Sequence, residues 1–431
     1  MLSIWQRISN DFQTLWLAVN LSKKNPFFVF QELFSFLASL VLLLFLVSLG
    51  KKLLKFFHLR INLKEELLFA LGLGIVFWGT LILLLGIFNL FNFWLIWGMA
   101  FFLFLICLPE VIAVVKGIGG LRETKKRVFF YFFLLLVILN VIGALTPEKG
   151  VDAIDYHLYF SKVYLQNQTM MLPARGSRLF SLFPHLVSLI YTLPISLDLT
   201  NVAQLTHLWL GVLTAIVVGI LTQSFIASLI FYSLLTVGSI SRSAYSDFFV
   251  CYFLSLGILG IVGENKGDKR RTILLSGLMF GGALATKNQS LALLPLLIIL
   301  WLLFRQKEII NLFKLLVISF LVPLPWYLRS TVITGNPLYP LFELKDIRVP
   351  QLDLNYYFKF EFLKYLKVIF SFQPVFLLVF LFVIFSKSSL KNKKLRAYFL
   401  AGVLIFLFWV ILPISFHDNR YFLPFFILTC K

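Results

Sequence analysis

The chain has 431 residues, of which 60% are hydrophobic and 13% charged, with a net charge of +20. That charged fraction is about half the roughly 25% typical of soluble globular domains, which excludes that class. The basic excess does not point to nucleic acid either, because Lys and Arg gather in short loops between apolar runs and act there as topology determinants.

Apolar runs of about 18 residues recur from end to end, enough to cross a hydrocarbon core about 30 Å thick as helix. The expected fold is all-α and polytopic, with about 13 spans. Residues 1–26 carry Arg7, Asn10, Asp11 and Gln13, too polar for the apolar core of a signal peptide, and read as an amphipathic interfacial helix. Spans are predicted over 28–50, 67–87, 90–108 and 128–146. The loop 51–66 holds Lys51, Lys52, Lys55, Arg60 and Lys64, and the loop 109–127 holds Lys116, Arg122, Lys125, Lys126 and Arg127. Both belong in the cytoplasm by the positive-inside rule, so the next stretch, 147–202, is expected outside.

Further spans are predicted over 203–223, 225–241, 247–263, 272–287, 289–304, 312–329, 369–386 and 397–414. The basic groups Lys266–Arg271, Arg305–Lys314 and Lys387–Arg396 fall inside only if the apolar piece 179–197, broken by Pro184, His185 and Pro194, does not cross. It therefore reads as a juxtamembrane or re-entrant helix. The resulting divisions are an N-terminal transmembrane segment (1–146), a first extracytoplasmic loop (147–202), central helices (203–329), a second outer loop (330–368) and C-terminal helices (369–431). Cys107, Cys251 and Cys430 sit in apolar runs at no metal-ligand spacing and are expected as buried thiols.

Orientation set by the basic loops leaves the other ionisable residues as a separate observation. Glu148, Asp152, Asp155 and His157 crowd the start of the first outer loop, in a chain with only 19 acidic residues and five histidines. Lys162, Asp247, Lys287, Arg329, His417, Asp418 and Arg420 fall at the same predicted face, as do Asn336 and Tyr339 in the turn GNPLYP. A charge within a span costs about 2.5–3.5 kcal/mol, so charges beside spans call for a reason. Transporter sites lie near the midplane, whereas these gather at one surface. Each also has a structural reading: Asp247 as a helix cap, Lys287 snorkelling to headgroups, Arg329 and Arg420 on headgroup phosphates, Pro337 with Gly335 as a turn. His185 and His207 read as packed residues.

The ordered series DAIDYHLYFSKVYL, SLFPHLVSLIY, SAYSD, GLMFGGALATK, PWYLRSTVITGNPLYP and NRYFLP resembles the GT-C fold glycosyltransferases. Within them it is similar to bacterial relatives of the protein O-mannosyltransferases and the lipid A aminoarabinose transferase. The resemblance spans about 147–424. It implies transfer of a sugar from a polyprenyl-phosphate donor to a glycan, lipid or protein acceptor outside the cytoplasmic membrane, with the bilayer and no nucleic acid as partner. It also implies a catalytic acid in the first outer loop with an aromatic residue four positions on, which Asp152 and Tyr156 match. Many members carry a second acid directly after the first, where this chain has Ala153.

On this reading Asp152 is the general base, Asp155 and His157 assist, and Lys162, Lys287, Arg329 and Arg420 face the donor phosphate together with Asp247, Asn336, Tyr339, His417 and Asp418. No cofactor is required, and a divalent ion on Asp152, Asp247 and Asp418 is the alternative to cationic clamps. Two other functions fit a polytopic chain: a flippase for lipid-linked glycans, and a non-catalytic scaffold for envelope enzymes.

Overall fold

The structure is a computed structural model that describes residues 27–59, 61–118, 127–170, 180–263, 268–305 and 308–339. The expectations for the amphipathic helix 1–26, the spans 369–386 and 397–414, Cys430, and the site residues His417, Asp418 and Arg420 lie outside these residues. Among the described residues the chain is all-helical, with no strand.

Two long helices begin the bundle, α1 (Phe27–Phe56) and α2 (Leu63–Ile87). The α2 start is set by Asn62, whose side chain accepts the Glu65 N–H at 3.0 Å, with Glu65 and Glu66 at the positive dipole end. The two helices pack backbone to backbone. A Cβ on Gly74 would sit 1.8 Å from the Leu46 carbonyl oxygen, and one on Gly50 would sit 1.7 Å from that of Ala70. Small residues at such crossings are how helices associate in lipid, where burying apolar surface offers little gain.

Next come α3 (Phe93–Ile106), α4 (Leu108–Ile118) and α5 (Arg127–Ala144). The expected span 90–108 does not stop there: at Cys107 the chain bends by 62° and α4 continues it into the expected loop. After a π-helical turn (Ala153–His157), α6 (Leu158–Asn167) and a 3-10 turn (Phe180–Leu182), the piece read as re-entrant forms α7 (Leu186–Ile190) and α8 (Thr192–Ile195). These helices, five and four residues long, are wholly buried and far too short to cross a membrane.

The second half comprises α9 (Thr200–Thr222), α10 (Phe225–Ser233), α11 (Leu235–Ile240), α12 (Asp247–Val262), α13 (Lys269–Thr286), α14 (Leu294–Arg305), α15 (Ile309–Leu321) and α16 (Leu324–Thr334). The expected span 225–241 is split at Leu234, whose backbone is extended (φ −58°, ψ 133°). The span 312–329 is bent by 57° between α15 and α16, where Pro323 and Pro325 interrupt the hydrogen-bond ladder. Helix α12 lies at the centre, apolar on every side and buried along almost its whole length against α9 and α13.

By length and hydropathy, four described helices are able to cross a membrane: Phe27–Phe56, Glu65–Ile87, Thr200–Thr222 and Asn288–Arg305. The number rises to six if each bent pair is one span. Val128–Ala144 and Asp247–Val262 are apolar but shorter.

The two ends of the bundle differ. One carries the ion pairs Lys51–Glu66 (3.1 Å), Lys55–Glu110 (2.8 Å) and Lys269–Glu308 (2.8 Å), at the starts of α2, α4, α13 and α15. At the other end, α2 finishes beside the end of α6, where Thr169 donates to Asn89 and Phe91 N–H to the Gln168 carbonyl. Helix α13 also finishes there, alongside the start of α12.

Candidate functional site

At this second end a cavity of about 130 Å³ opens between four stretches of chain. Asp152, Tyr156 and His157 come from the π turn, and Phe183, Pro184 and His185 from the segment before α7. Ser246 precedes α12, and Thr286, Lys287, Asn288 and Gln289 form the junction after α13.

Each wall has a local cause. Glu148 anchors the first: its carboxylate accepts the N–H groups of Lys149 (2.9 Å), Gly150 (2.7 Å) and, across the fold, Ala244 (2.6 Å). Gln204 of α9 reinforces this junction by donating to the Thr146 and Arg242 carbonyls. Glu148 is thereby committed to backbone amides rather than to chemistry. The π turn follows, and a one-residue expansion of a helix is a common device for aiming side chains at a site.

His185 organises the second wall. Its Nδ1–H donates to the Phe183 carbonyl at 2.6 Å, so Nε2 accepts from the Tyr164 hydroxyl at 3.0 Å. Its ring packs on Trp326 of α16, with centroids 4.4 Å apart. Burial, then the Arg329 charge, pushes the ring down to about 3, so it is neutral at pH 7. This is the packed role expected for His185. His207 is also structural: its Nε2 accepts the Phe248 N–H at 3.0 Å and satisfies an amide of the first turn of α12.

The third and fourth walls meet in an ion pair. Asp247 is the first residue of α12, and its Oδ1 lies 3.1 Å from Nζ of Lys287, which follows α13 in extended backbone. The side chains are only 6% and 12% exposed, so Lys287 does not snorkel outwards, while Asp247 stands in the first turn of α12, at its positive dipole end, and is also held in this buried pair.

The structure thus brings together Asp152, His157 and Lys287, with Asp247 directly behind Lys287. His157 is buried; its desolvation, then the Lys287 charge, hold the imidazole well below the ordinary histidine range, against an opposing pull from Asp247. It is a neutral hydrogen-bonding group at pH 7.

Other expected site residues are placed elsewhere. Asp155 is exposed and does not line the cavity, because the π turn points Asp152 and Tyr156 inward and carries Asp155 round to solvent. Lys162 makes an exposed pair with Asp198 at 3.9 Å, of a kind that contributes little. Arg329 does not line the cavity: its guanidinium donates to the Ser181 carbonyl (2.6 Å) and the Met170 carbonyl (2.5 Å), so it ties these two residues to α16. Asn336 is buried and builds its own turn, accepting the Leu338 N–H on Oδ1 and the Ser330 hydroxyl on its carbonyl. Tyr339 touches the site indirectly, its carbonyl accepting from Asn288 at 3.3 Å.

The uncharged lining residues Ser246, Thr286, Asn288 and Gln289 escaped the sequence reading, although each lies within two residues of a charged residue singled out there. Among the described residues no group of three His, Cys, Asp or Glu side chains is placed to hold a metal ion. Cys107 and Cys251 are buried and free.

Residues 185–351 are similar to a protein family described as a domain of unknown function, DUF8201. The match begins at His185 and takes in Asp247, Lys287 and Arg329, but not the π turn with Asp152. No curated protein and no solved structure matches the chain.

Proposed function

We propose that this chain is a polytopic membrane glycosyltransferase of about 13 spans. It moves a sugar from a polyprenyl-phosphate donor to an extracytoplasmic acceptor, a glycan, lipid or protein. The observation that carries this reading is the cavity shared by Asp152 and Lys287. A carboxylate and an ammonium far apart in sequence line one small space, at the end of the bundle opposite the Lys51–Glu66 and Lys269–Glu308 pairs. Basic residues gathered at that end support a cytoplasmic location for it, and with it an outer location for the cavity.

The chemistry asks for these two groups. A hydroxyl is a poor nucleophile at neutral pH, and Asp152 takes its proton as the oxygen attacks the anomeric carbon. The bond from that carbon to the phosphate oxygen breaks in the same step, with inversion, and negative charge grows on the departing phosphate. An ammonium carries three N–H donors. Asp247 takes one and thereby fixes Nζ of Lys287 where the developing charge is met. Neutral His157 orients the reacting groups without competing for the proton.

The test is turnover. The full chain, reconstituted in vesicles, is incubated with a panel of polyprenyl-phosphate sugars and water-soluble glycan acceptors. Release of polyprenyl phosphate with glycoside formation is expected from at least one donor, and no release from any donor overturns the proposal.

A further inference from the structure

The cavity carries more unmet hydrogen-bonding capacity than its size would suggest. Ser246 Oγ, His157 Nδ1, Asn288 Oδ1 and Gln289 Oε1 are all buried atoms with no hydrogen-bond partner among the described residues, and all four residues line this one space. Ser246 is wholly inaccessible and His157 is 3% exposed. Buried polar atoms left unpaired cost about 1–3 kcal/mol each, so four around a single cavity are a binding surface awaiting its ligand. The Asn288 amide is oriented by its donation to the Tyr339 carbonyl, which leaves its oxygen as the open group. What the four atoms have in common is the capacity to accept.

The cations tell the same story from the other side. Lys287 is held by Asp247 at 3.1 Å, and Arg329 is engaged by the Met170 and Ser181 carbonyls. An anion entering the cavity would find acceptors on its walls and the Asp152 carboxylate at its side. A ligand rich in O–H donors would satisfy them. The volume is about 130 Å³. It admits one hydroxylated edge of a ring rather than a whole disaccharide.

We infer that this cavity is a polyol subsite: Ser246, His157, Asn288 and Gln289 accept from adjacent hydroxyls on one edge of a sugar ring, and the phosphate of the donor stays at its Lys287 edge rather than among these four residues. The inference rests on the sugar-transfer reading of the site and deepens it by dividing the substrate between two places. A site built to pair hydroxyls discriminates strongly, because an analogue lacking one leaves its buried partner unpaired.

The experiment uses the full chain in nanodiscs. Saturation-transfer NMR is recorded with a panel of methyl pyranosides, and phosphorus line broadening with inorganic phosphate. At least one methyl pyranoside is expected to receive saturation, with phosphate unaffected. Ser246→Ala and Gln289→Leu are each expected to weaken the pyranoside about tenfold. Displacement of the pyranoside by a lipid-linked sugar assigns the edge to the donor, and binding of both together assigns it to the acceptor. Binding of phosphate in place of the pyranosides, binding of neither, or pyranoside binding unchanged in both variants overturns the inference. Pyranoside binding without any transfer by the wild-type chain sinks the transferase reading and leaves the subsite, whereas transfer with phosphate bound in the cavity does the reverse.

Discussion

The ammonium of Lys287 lies 3.1 Å from the carboxylate of Asp247, joining the residue after α13 to the first residue of α12 in a nearly water-free contact. Two antiparallel helices are thus tied at the end where the cavity opens. Removing either partner alone leaves a buried charge unopposed. Lys287→Met is expected to destabilise the protein by about 3–5 kcal/mol in detergent unfolding, whereas the double change Asp247→Leu with Lys287→Met costs much less. If the single and double variants unfold alike, the pair does not behave as a buried ion pair.

The α1–α2 contact makes a second prediction. At Gly74 the obstructing atom is backbone, the Leu46 carbonyl oxygen, which no side-chain rotation relieves. Gly74→Val is therefore expected to cost at least about 3 kcal/mol or to abolish folding. Gly98, in α3, is the control, because an added Cβ meets nothing within 4 Å there. Gly98→Ala should hold stability level or raise it by up to about 1 kcal/mol. Thermal melting of both in the same detergent checks the contrast.

His157 and His185 are depressed in the folded chain below the ordinary value of 6.5, His185 to about 3. Between those limits the unfolded chain binds more protons than the folded one. Their contribution to stability is therefore complete above about pH 6.5 and is lost as the pH falls, for His185 down to about 3. The slope is at most about 1.4 kcal/mol per pH unit for each ring. His185→Gln, which does not titrate, is expected to flatten the decline by one such increment, as measured by unfolding at pH 7, 6, 5 and 4.

Arg329 acts at a distance from the cavity, through the carbonyls of Met170 and Ser181. Lys at this position reaches one carbonyl but has no planar fork to span two. Arg329→Lys is expected to loosen the wall formed by Phe183–His185, raising amide exchange of residues 180–190 severalfold while leaving α12 and α13 protected. Uniform exchange across all three would assign Arg329 a global role instead.

Much of this site could be read from charge alone. Asp247 and Lys287 announced themselves because an ionisable residue next to an apolar run is costly, and the basic loops indicated which helix ends belong together. Asp152 and Tyr156, singled out together by a resemblance, both line the cavity. Arg329 and Asn336 were legible as polar but not in their role, since a side chain satisfied by nearby backbone carbonyls looks, in sequence, like one awaiting a ligand. Asp155 lies beside the right residue, yet the π turn shifts its direction, and π turns carry no compositional signature. Pro323 and Pro325 stand at the break before α16, inside what the sequence reading drew as one span over 312–329. The break at Cys107 has Pro109 just after it, a signal the expected span 90–108 passed over, whereas the break at Leu234 has neither Pro nor Gly beside it. Ser246, Asn288 and Gln289 were quiet because an uncharged polar residue at a helix junction is ordinary until a cavity is seen beside it.

The central claim is that Asp152 removes a proton from the acceptor within the space that Lys287 lines. Asp152→Asn keeps the size of the side chain and removes its basicity. The measurement is the single-turnover rate of sugar transfer from a polyprenyl-phosphate donor, by variant and wild-type chains shown to be equally inserted and folded. A loss of about 100-fold or more is predicted; a variant that transfers at close to the wild-type rate contradicts it.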